Sequence, residues 1–450
     1  MINGKRFYIC LAASIITCCC NGNHYGTAPS TEVVVLFSSN SINTDTNNST
    51  NTDTSTNPGI PYRIPALAEL GDGRLLAVAD YRHCRRDIGY GRVDLHSRTS
   101  SDLGRSWERE KTLIEGSGVS GAVDCGFGDA ALLCDRESGE LLLMAVCGET
   151  VYSRPSTNRL NPNRIALMKS RDGGKSWSQW EEKTEDIYSL FDGCSSGRVE
   201  SCFVTSGKLF QSRVIKIGSH YRIYAALCAR PNGNRVIYSD DFGHSWKALG
   251  GRDALPATDG DEAKCEELAD GSVILSSRAY GGRIFNIYRY DDMRSGKGIW
   301  GDEAWSYVGN GGCVAEGNAC NGEIIVIKAR RCVKESEKRC VKKSAKHGEE
   351  VLLALQSLPL GPGRADVGIY FKEIDTEMDP ASLASGWSGP YRLSQKESAY
   401  STMLQLSDGR IALFWEESPN ADYSGYELCY RALNLEDISG GLYTARNCYQ

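Results

Sequence analysis

The 450-residue sequence has no surplus of positive charge: 51 Lys and Arg stand against 57 Asp and Glu, a formal net charge of −6. Nucleic-acid binders carry a basic balance, so that class is set aside. Long apolar runs are missing beyond the N-terminus, which excludes a chain of many membrane-spanning helices. Histidine is sparse at 6 residues, and no His, Asp and Glu cluster has metal-ligand spacing. No two cysteines form a C-x-x-C pair, so zinc and dithiol motifs are absent too. No metal or organic cofactor is therefore expected. Helix signals are few; the clearest is Asp379-Pro380-Ala381-Ser382-Leu383, with Asp as cap and Pro at the first helical position. With 41% hydrophobic and 24% charged residues, the composition is that of a globular protein. The 48 Gly, 22 Tyr and 8 Trp favour many short strands and turns.

The N-terminus reads as an address. Lys5 and Arg6 precede an uncharged stretch from Phe7 to Cys20, followed by small and polar residues. This is the layout of a secretory signal peptide, expected over residues 1–22, and it implies a secreted or cell-surface protein without stable membrane insertion. Fourteen of the 18 cysteines lie beyond it, an even number that suits disulfides in an oxidising compartment. Cys332 and Cys340 are the most suggestive pair, closing a hairpin in the basic run Lys328 to Lys346. Residues 40–57 are low-complexity Asn, Thr, Ser and Asp, expected as a loop insertion between two strands.

An internal repeat organises the rest. Ser100-Ser101-Asp102-Leu103-Gly104-Arg105-Ser106-Trp107 returns at Ser170 to Trp177 and at Ser239 to Trp246, with the aspartates 70 and 69 residues apart. The shared pattern is Ser-x-Asp-x-Gly-x-x-Trp. Its Asp can accept backbone N–H bonds, its Gly permits positive φ, and its Trp packs the turn onto a sheet. Apolar runs flank the copies, and Asp72-Gly73, Asp270-Gly271 and Asp408-Gly409 mark further turns. About 70 residues per unit from residue 32 to 450 gives six units. The expected fold is all-β: a six-bladed β-propeller of four-stranded antiparallel blades. Two β-sandwiches are the alternative, and the even turn spacing argues against them.

The octapeptide resembles the Asp-box of sialidases, which also occurs in propellers without catalytic activity. In that family the boxes sit away from the chemistry, so Asp102, Asp172 and Asp241 read as structural. Four further segments resemble sialidase motifs in the family's order. They are Tyr62-Arg63-Ile64-Pro65, then Val78-Ala79-Asp80-Tyr81-Arg82 followed by Asp87. Next comes Asp261-Glu262 through Glu267-Leu268-Ala269-Asp270-Gly271 to Arg278. Last is Ser398-Ala399-Tyr400-Ser401 leading to Phe414-Trp415-Glu416.

The resemblance implies an exo-α-sialidase acting on sialylated glycans, glycoproteins or gangliosides. Sialic acid carries a carboxylate on the carbon that is attacked, and guanidinium groups bind planar carboxylates in a bidentate way. The resemblance assigns this to Arg63, Arg278 and a third arginine, taken as Arg364 with Arg392 as competitor. It makes Tyr400 the nucleophile and Glu262 its proton partner. A phenol titrates near ~10 and needs such a base, and unlike a carboxylate it does not repel the substrate. Asp87 would be the general acid/base, protonated with the help of partial burial, with Asp94 as fallback because the segment around Asp87 is unusually basic. Glu416 would orient Arg63, and Arg82 and Asp129 would touch ring hydroxyls. The basic run Lys328 to Lys346 reads as a solvated hairpin able to attract anionic glycans. Two other functions stay open: a sialic-acid-binding lectin or adhesin on an inactive scaffold, and a trans-sialidase. Known transferases place an aromatic two residues before the third arginine, where this chain has Pro362.

Overall fold

The structure, a computed structural model, describes residues 29–39, 61–332, 348–419 and 425–445. The signal peptide expected at 1–22, the insertion at 40–57, Cys340 and most of the basic run to Lys346 lie outside the described residues. Six antiparallel sheets follow one another along the chain as the blades of a propeller. Blade one holds Tyr62–Glu69, Leu75–Tyr81, Asp94–Ser100 and Lys111–Ile114. The others repeat this meander, beginning at Phe127–Cys134, Ser201–Val204, Ala263–Glu267, Ile324–Arg331 and Ser398–Gln405. Blades of four strands were expected; four of the six sheets carry a fifth, short strand such as Ala304–Ser306.

The ring is closed by the chain's own start. Val34–Phe37 pairs antiparallel with Glu427–Leu433 and completes the last blade. The chain therefore passes from the last blade to the first between Phe37 and Tyr62. Closure into a ring leaves only short blade edges unpaired, which limits the hazard of open edges.

Blades pack face to face, so their middle strands are buried on both sides. Leu141–Cys147 is buried at every position, an unbroken apolar run and not an alternating one. Leu143 sits among Leu76, Leu95 and Leu132 between blades one and two; truncating it to Ala costs about 2–5 kcal/mol. The turn chemistry repeats too. Leu70, Leu268 and Leu406 each accept from the glycine of the Asp-Gly turn, at 2.9, 3.0 and 2.8 Å. Those glycines have φ of 80°, 86° and 87°, where a side chain would be strained.

Each octapeptide forms the turn between the third and fourth strands of blades one to three. In the second copy, Asp172 accepts from Ser170 Oγ at 2.9 Å, Ser176 N at 2.9 Å and Ser176 Oγ at 2.6 Å. The first and third copies repeat these bonds around Asp102 and Asp241. The Asp379 carboxylate caps the short helix Pro380–Ala384 by accepting from Ser382 N at 2.7 Å.

The disulfide expectation is not met among the described residues. All twelve described cysteines, Cys332 included, are free thiols. Nine are buried, and seven of these sit in seven different apolar clusters as packing groups. Burial pushes Cys147, Cys202, Cys320 and Cys429 up to about 12, so they stay neutral and unreactive. An even count carried no information about which sulfurs meet.

Candidate active site

Strand direction alternates within each blade, so chain positions sort themselves onto two faces. The starts of the inner strands, the ends of the second strands and the loops that follow share one face. Arg63, Asp129, Glu262 and Tyr400 come from starts; Arg82, Arg278 and Glu416 come from ends; Asp87 and Arg364 come from loops. All of these except Glu416 line one depression of about 530 Å3. The octapeptide turns lie at the opposite face, where a second cavity of about 670 Å3 opens. The smaller cavity is the candidate site because it gathers the titratable groups with perturbed proton affinity.

Glu416 organises one side. Fully buried, it receives Arg63 Nε at 2.7 Å and Nη2 at 3.1 Å, a two-point ion pair. The same carboxylate accepts the backbone N–H of Ile64 at 2.7 Å and of Tyr400 at 3.0 Å. It thus ties the arginine and the tyrosine of two blades to one anchor. The Arg63 guanidinium lies 5.6 Å from the Tyr400 ring centroid and 5.0 Å from that of Tyr426. The Arg364 guanidinium lies 5.8 Å from the Tyr400 ring. Arg278 Nη1 donates to Tyr400 Oη at 3.2 Å and to Glu262 at 2.6 Å. Three guanidiniums therefore surround one phenol. Among the described residues Arg364 forms no ion pair, so its charge stays free for a ligand. The competitor Arg392 instead pairs with Asp366 and lies outside the depression.

Tyr400 and Glu262 are coupled through Arg278. Burial and the nearby Glu262 push the phenol well above its ordinary value, against the pull of Arg278. Burial also raises Glu262, while Arg278 opposes it. The hydroxyl is neutral at rest, and the adjacent carboxylate is the group placed to take its proton.

Arg82 organises the other side. Its guanidinium meets Asp80 at 2.9 Å, Asp87 at 2.9 Å and Asp129 at 3.6 Å. Asp80 also accepts the N–H of Asp129 at 2.9 Å. Burial raises both carboxyls, and the neighbouring Asp80 charge pushes Asp129 further. Asp129 stands farther from Arg82 and holds its proton more tightly. Asp87 departs from expectation: its side chain is 65% exposed and not partly buried. It rides the loop between two strands, clear of the blade interfaces. Arg82 pairs with it, and Arg86 of the same loop stacks on Tyr90 at 3.7 Å. The fallback Asp94 is excluded from the depression, because His83, Arg92 and the Gly116 N–H hold it elsewhere.

Several lining residues escaped the sequence reading. Asp261, 3.3 Å from Arg278 Nε, is one. Asp80, buried beneath the depression against Arg82, escaped it as well, although its spacing of two from Arg82 puts both on one side of an extended segment. The wall of Ile88, Val146, Val151, Tyr152 and Phe203 had no motif to mark it. No group of three His, Cys, Asp or Glu among the described residues is arranged to hold a metal.

The fold and the depression define a six-bladed propeller with three arginines gathered around a tyrosine–glutamate pair. No family-wide sequence profile matches the chain. It is 27% identical over 397 residues to a sialidase of Micromonospora viridifaciens, covering 83% of this chain and 52% of that protein. It is 25% identical over 372 residues to a sialidase of Paraclostridium sordellii, covering 80% and 83%. The chain thus spans about half the length of the first relative. Among solved structures, the Hadza microbial sialidase Hz136 superposes with a TM-score of 0.62 at 20% identity, covering 84% of this chain and 66% of that one. The leech intramolecular trans-sialidase does so at 0.61 and 15% identity, covering 84% and 69%. The chain is thus similar to sialidases over about four fifths of its length, and these likenesses support a sialidase family assignment.

Proposed function

We propose that the protein is a retaining exo-α-sialidase that releases terminal sialic acid from glycans. The observation that carries this reading is the convergence of Arg63, Arg278 and Arg364 on Tyr400, with Glu262 sharing Arg278. The arginines take the substrate carboxylate and set the anomeric carbon above the phenol oxygen. As that oxygen attacks, Glu262 accepts its proton. Asp87, reaching the depression from its exposed loop, protonates the departing glycosidic oxygen. A glycosyl–tyrosine results, and Asp87 then activates the water that cleaves it, so configuration is retained. Arg82 and Asp129 hold ring hydroxyls, and the apolar wall suits the acyl substituent of the sugar.

A lectin needs only the arginines, so the coupled Tyr400 and Glu262 favour the enzyme. Hydrolysis is preferred to transfer because Pro362 stands where transferases carry an aromatic; free sialic acid, as against a sialylated product when a galactoside acceptor is added, distinguishes the two. Export rests on the pattern of residues 1–22 and is tested by sequencing the N-terminus of the mature protein.

The deciding experiment is release of a fluorogenic aglycone from a sialoside. Tyr400→Phe is expected to lower kcat by about 10^3-fold or more while still binding sialic acid. Absence of turnover by the wild type at any pH sinks the enzyme reading; full activity of Tyr400→Phe removes Tyr400 from the mechanism.

A further inference from the structure

Behind the site the propeller axis is filled with charge. Glu262, Lys264 and Glu266 alternate along the edge of blade four, so a period of two turns all three to one side. All three are buried. The outer two are satisfied: Glu262 by Arg278 at 2.6 Å, Glu266 by Arg213 at 2.5 Å and the Val326 N–H at 2.9 Å. Among the described residues Lys264 Nζ has no hydrogen-bond partner. Nearby, Glu323 accepts from Thr402 at 3.0 Å and leaves its Oε1 without a hydrogen bond, with Lys208 3.8 Å away. Gly207 makes room for the ammonium. A Cβ there would lie 3.0 Å from Lys264 Nζ and 3.2 Å from Thr402 Oγ1, on a backbone with φ of +103°.

A buried ammonium without a partner is unfavourable, and a fold that keeps one has a use for it. We propose that Lys264 is a positioning residue: its charge, two residues along the strand from Glu262, holds Glu262 as the carboxylate that accepts the Tyr400 proton. This rests on the sialidase reading above. Arg278 does the same from the front, but it also faces the incoming carboxylate and Asp261. When an anionic sugar binds, that charge is shared and a new negative charge arrives beside Glu262. Lys264, shielded behind the strand, keeps its full effect.

The groups around Glu262 are Arg278, Asp261, Tyr400, Asp129, Cys228, Cys320, Arg283 and Lys264. Burial, Asp261 and Asp129 favour its protonation; Arg278, Arg283 and Lys264 oppose it. Burial lowers the proton affinity of Lys264 itself below the ordinary value; Glu323 and Glu262 oppose that and favour its charge, while Arg283 and Lys208 repel it.

The test is the acid limb of kcat/KM, which reports the base in the free enzyme. Lys264→Met removes a stabilising cation, so the limb moves up by about one pH unit. Lys264→Arg restores it toward the wild-type position. Glu323→Gln removes the opposing charge and moves the limb down. A folded Lys264→Met protein with an unmoved limb overturns the inference, even if its Tm falls. If Lys264→Met does not fold, an unmoved limb in Glu323→Gln overturns it instead. A readout without turnover separates this from failure of the sialidase reading. The Glu262 carboxyl, 13C-labelled and assigned by its loss in Glu262→Gln, must titrate at higher pH in Lys264→Met; an unchanged midpoint overturns the inference whether or not sialosides are cleaved.

Discussion

The two faces of the propeller use aspartate in opposite ways. At the far face, Asp102, Asp172 and Asp241 sit in turns, and serine hydroxyls and backbone N–H groups hold their carboxylates below the ordinary range. Asp172 is lowered to about 2, with the Ser176 hydroxyl as the main cause. At the near face, Asp80 is fully enclosed and Asp129 is largely buried at the floor of the depression, and burial raises both although Arg82 touches both. Donors dominate where water remains; lost solvation dominates where it does not. One residue type therefore serves as a structural anion at one end of a strand and as a site acid at the other.

The largest expected effect tests that division directly. Asp87→Asn should lower kcat/KM by about 10^3-fold on a sialoside with an alkyl leaving group, and far less on an activated phenol that departs without a proton. Asp102→Asn should leave both rates unchanged per folded molecule. Equal sensitivity of both substrates to Asp87→Asn would assign the proton to another carboxyl, with Asp129 next to be tried. Glu416→Gln weakens the two-point hold on Arg63 and is expected to reduce kcat/KM by about 100-fold through misplacement of the guanidinium. Its kinetics should show a raised KM.

Stability against pH sharpens the contrast. Asp241 has a lowered folded value, so its contribution is complete above the unfolded value near ~4 and is lost as pH falls below it. Asp129 has a raised folded value, so the folded state binds more protons and stability declines as pH rises from about 4 toward that value. Thermal melts across pH should therefore lose acid-side slope in Asp241→Asn and neutral-side slope in Asp129→Asn. Slopes that change in the same window would contradict the assignment. The smallest effect is Asp241→Ala at neutral pH. It removes three short hydrogen bonds at the surface, costing about 1–2 kcal/mol and lowering Tm by about 2–4 °C, with no change in KM.

Much of the fold was legible because it is local. The octapeptides, the Asp-Gly turns and runs such as Val367–Ile374 each carry their own signal within a few residues. Motif likeness marked Arg63, Glu262, Arg278 and Tyr400. What resisted reading depends on distant partners. The Arg63–Glu416 pair spans 353 positions, and Val34–Phe37 finds its neighbour at the other end of the chain. The exposure of Asp87, the diversion of Asp94 and the isolation of Lys264 left no trace in local pattern. The cysteines show the reverse error, a count that suggested pairs where packing keeps the described thiols apart.

By itself the sequence determined a chain of repeated β units with its chemistry-bearing residues in a particular order, because turn geometry and strand patterning are set by immediate neighbours. Only the closed ring decided which carboxyls are protonated, which arginines are free and which lysine stands alone. Those properties depend on water excluded and charges brought together across blades, and no window of sequence contains both partners.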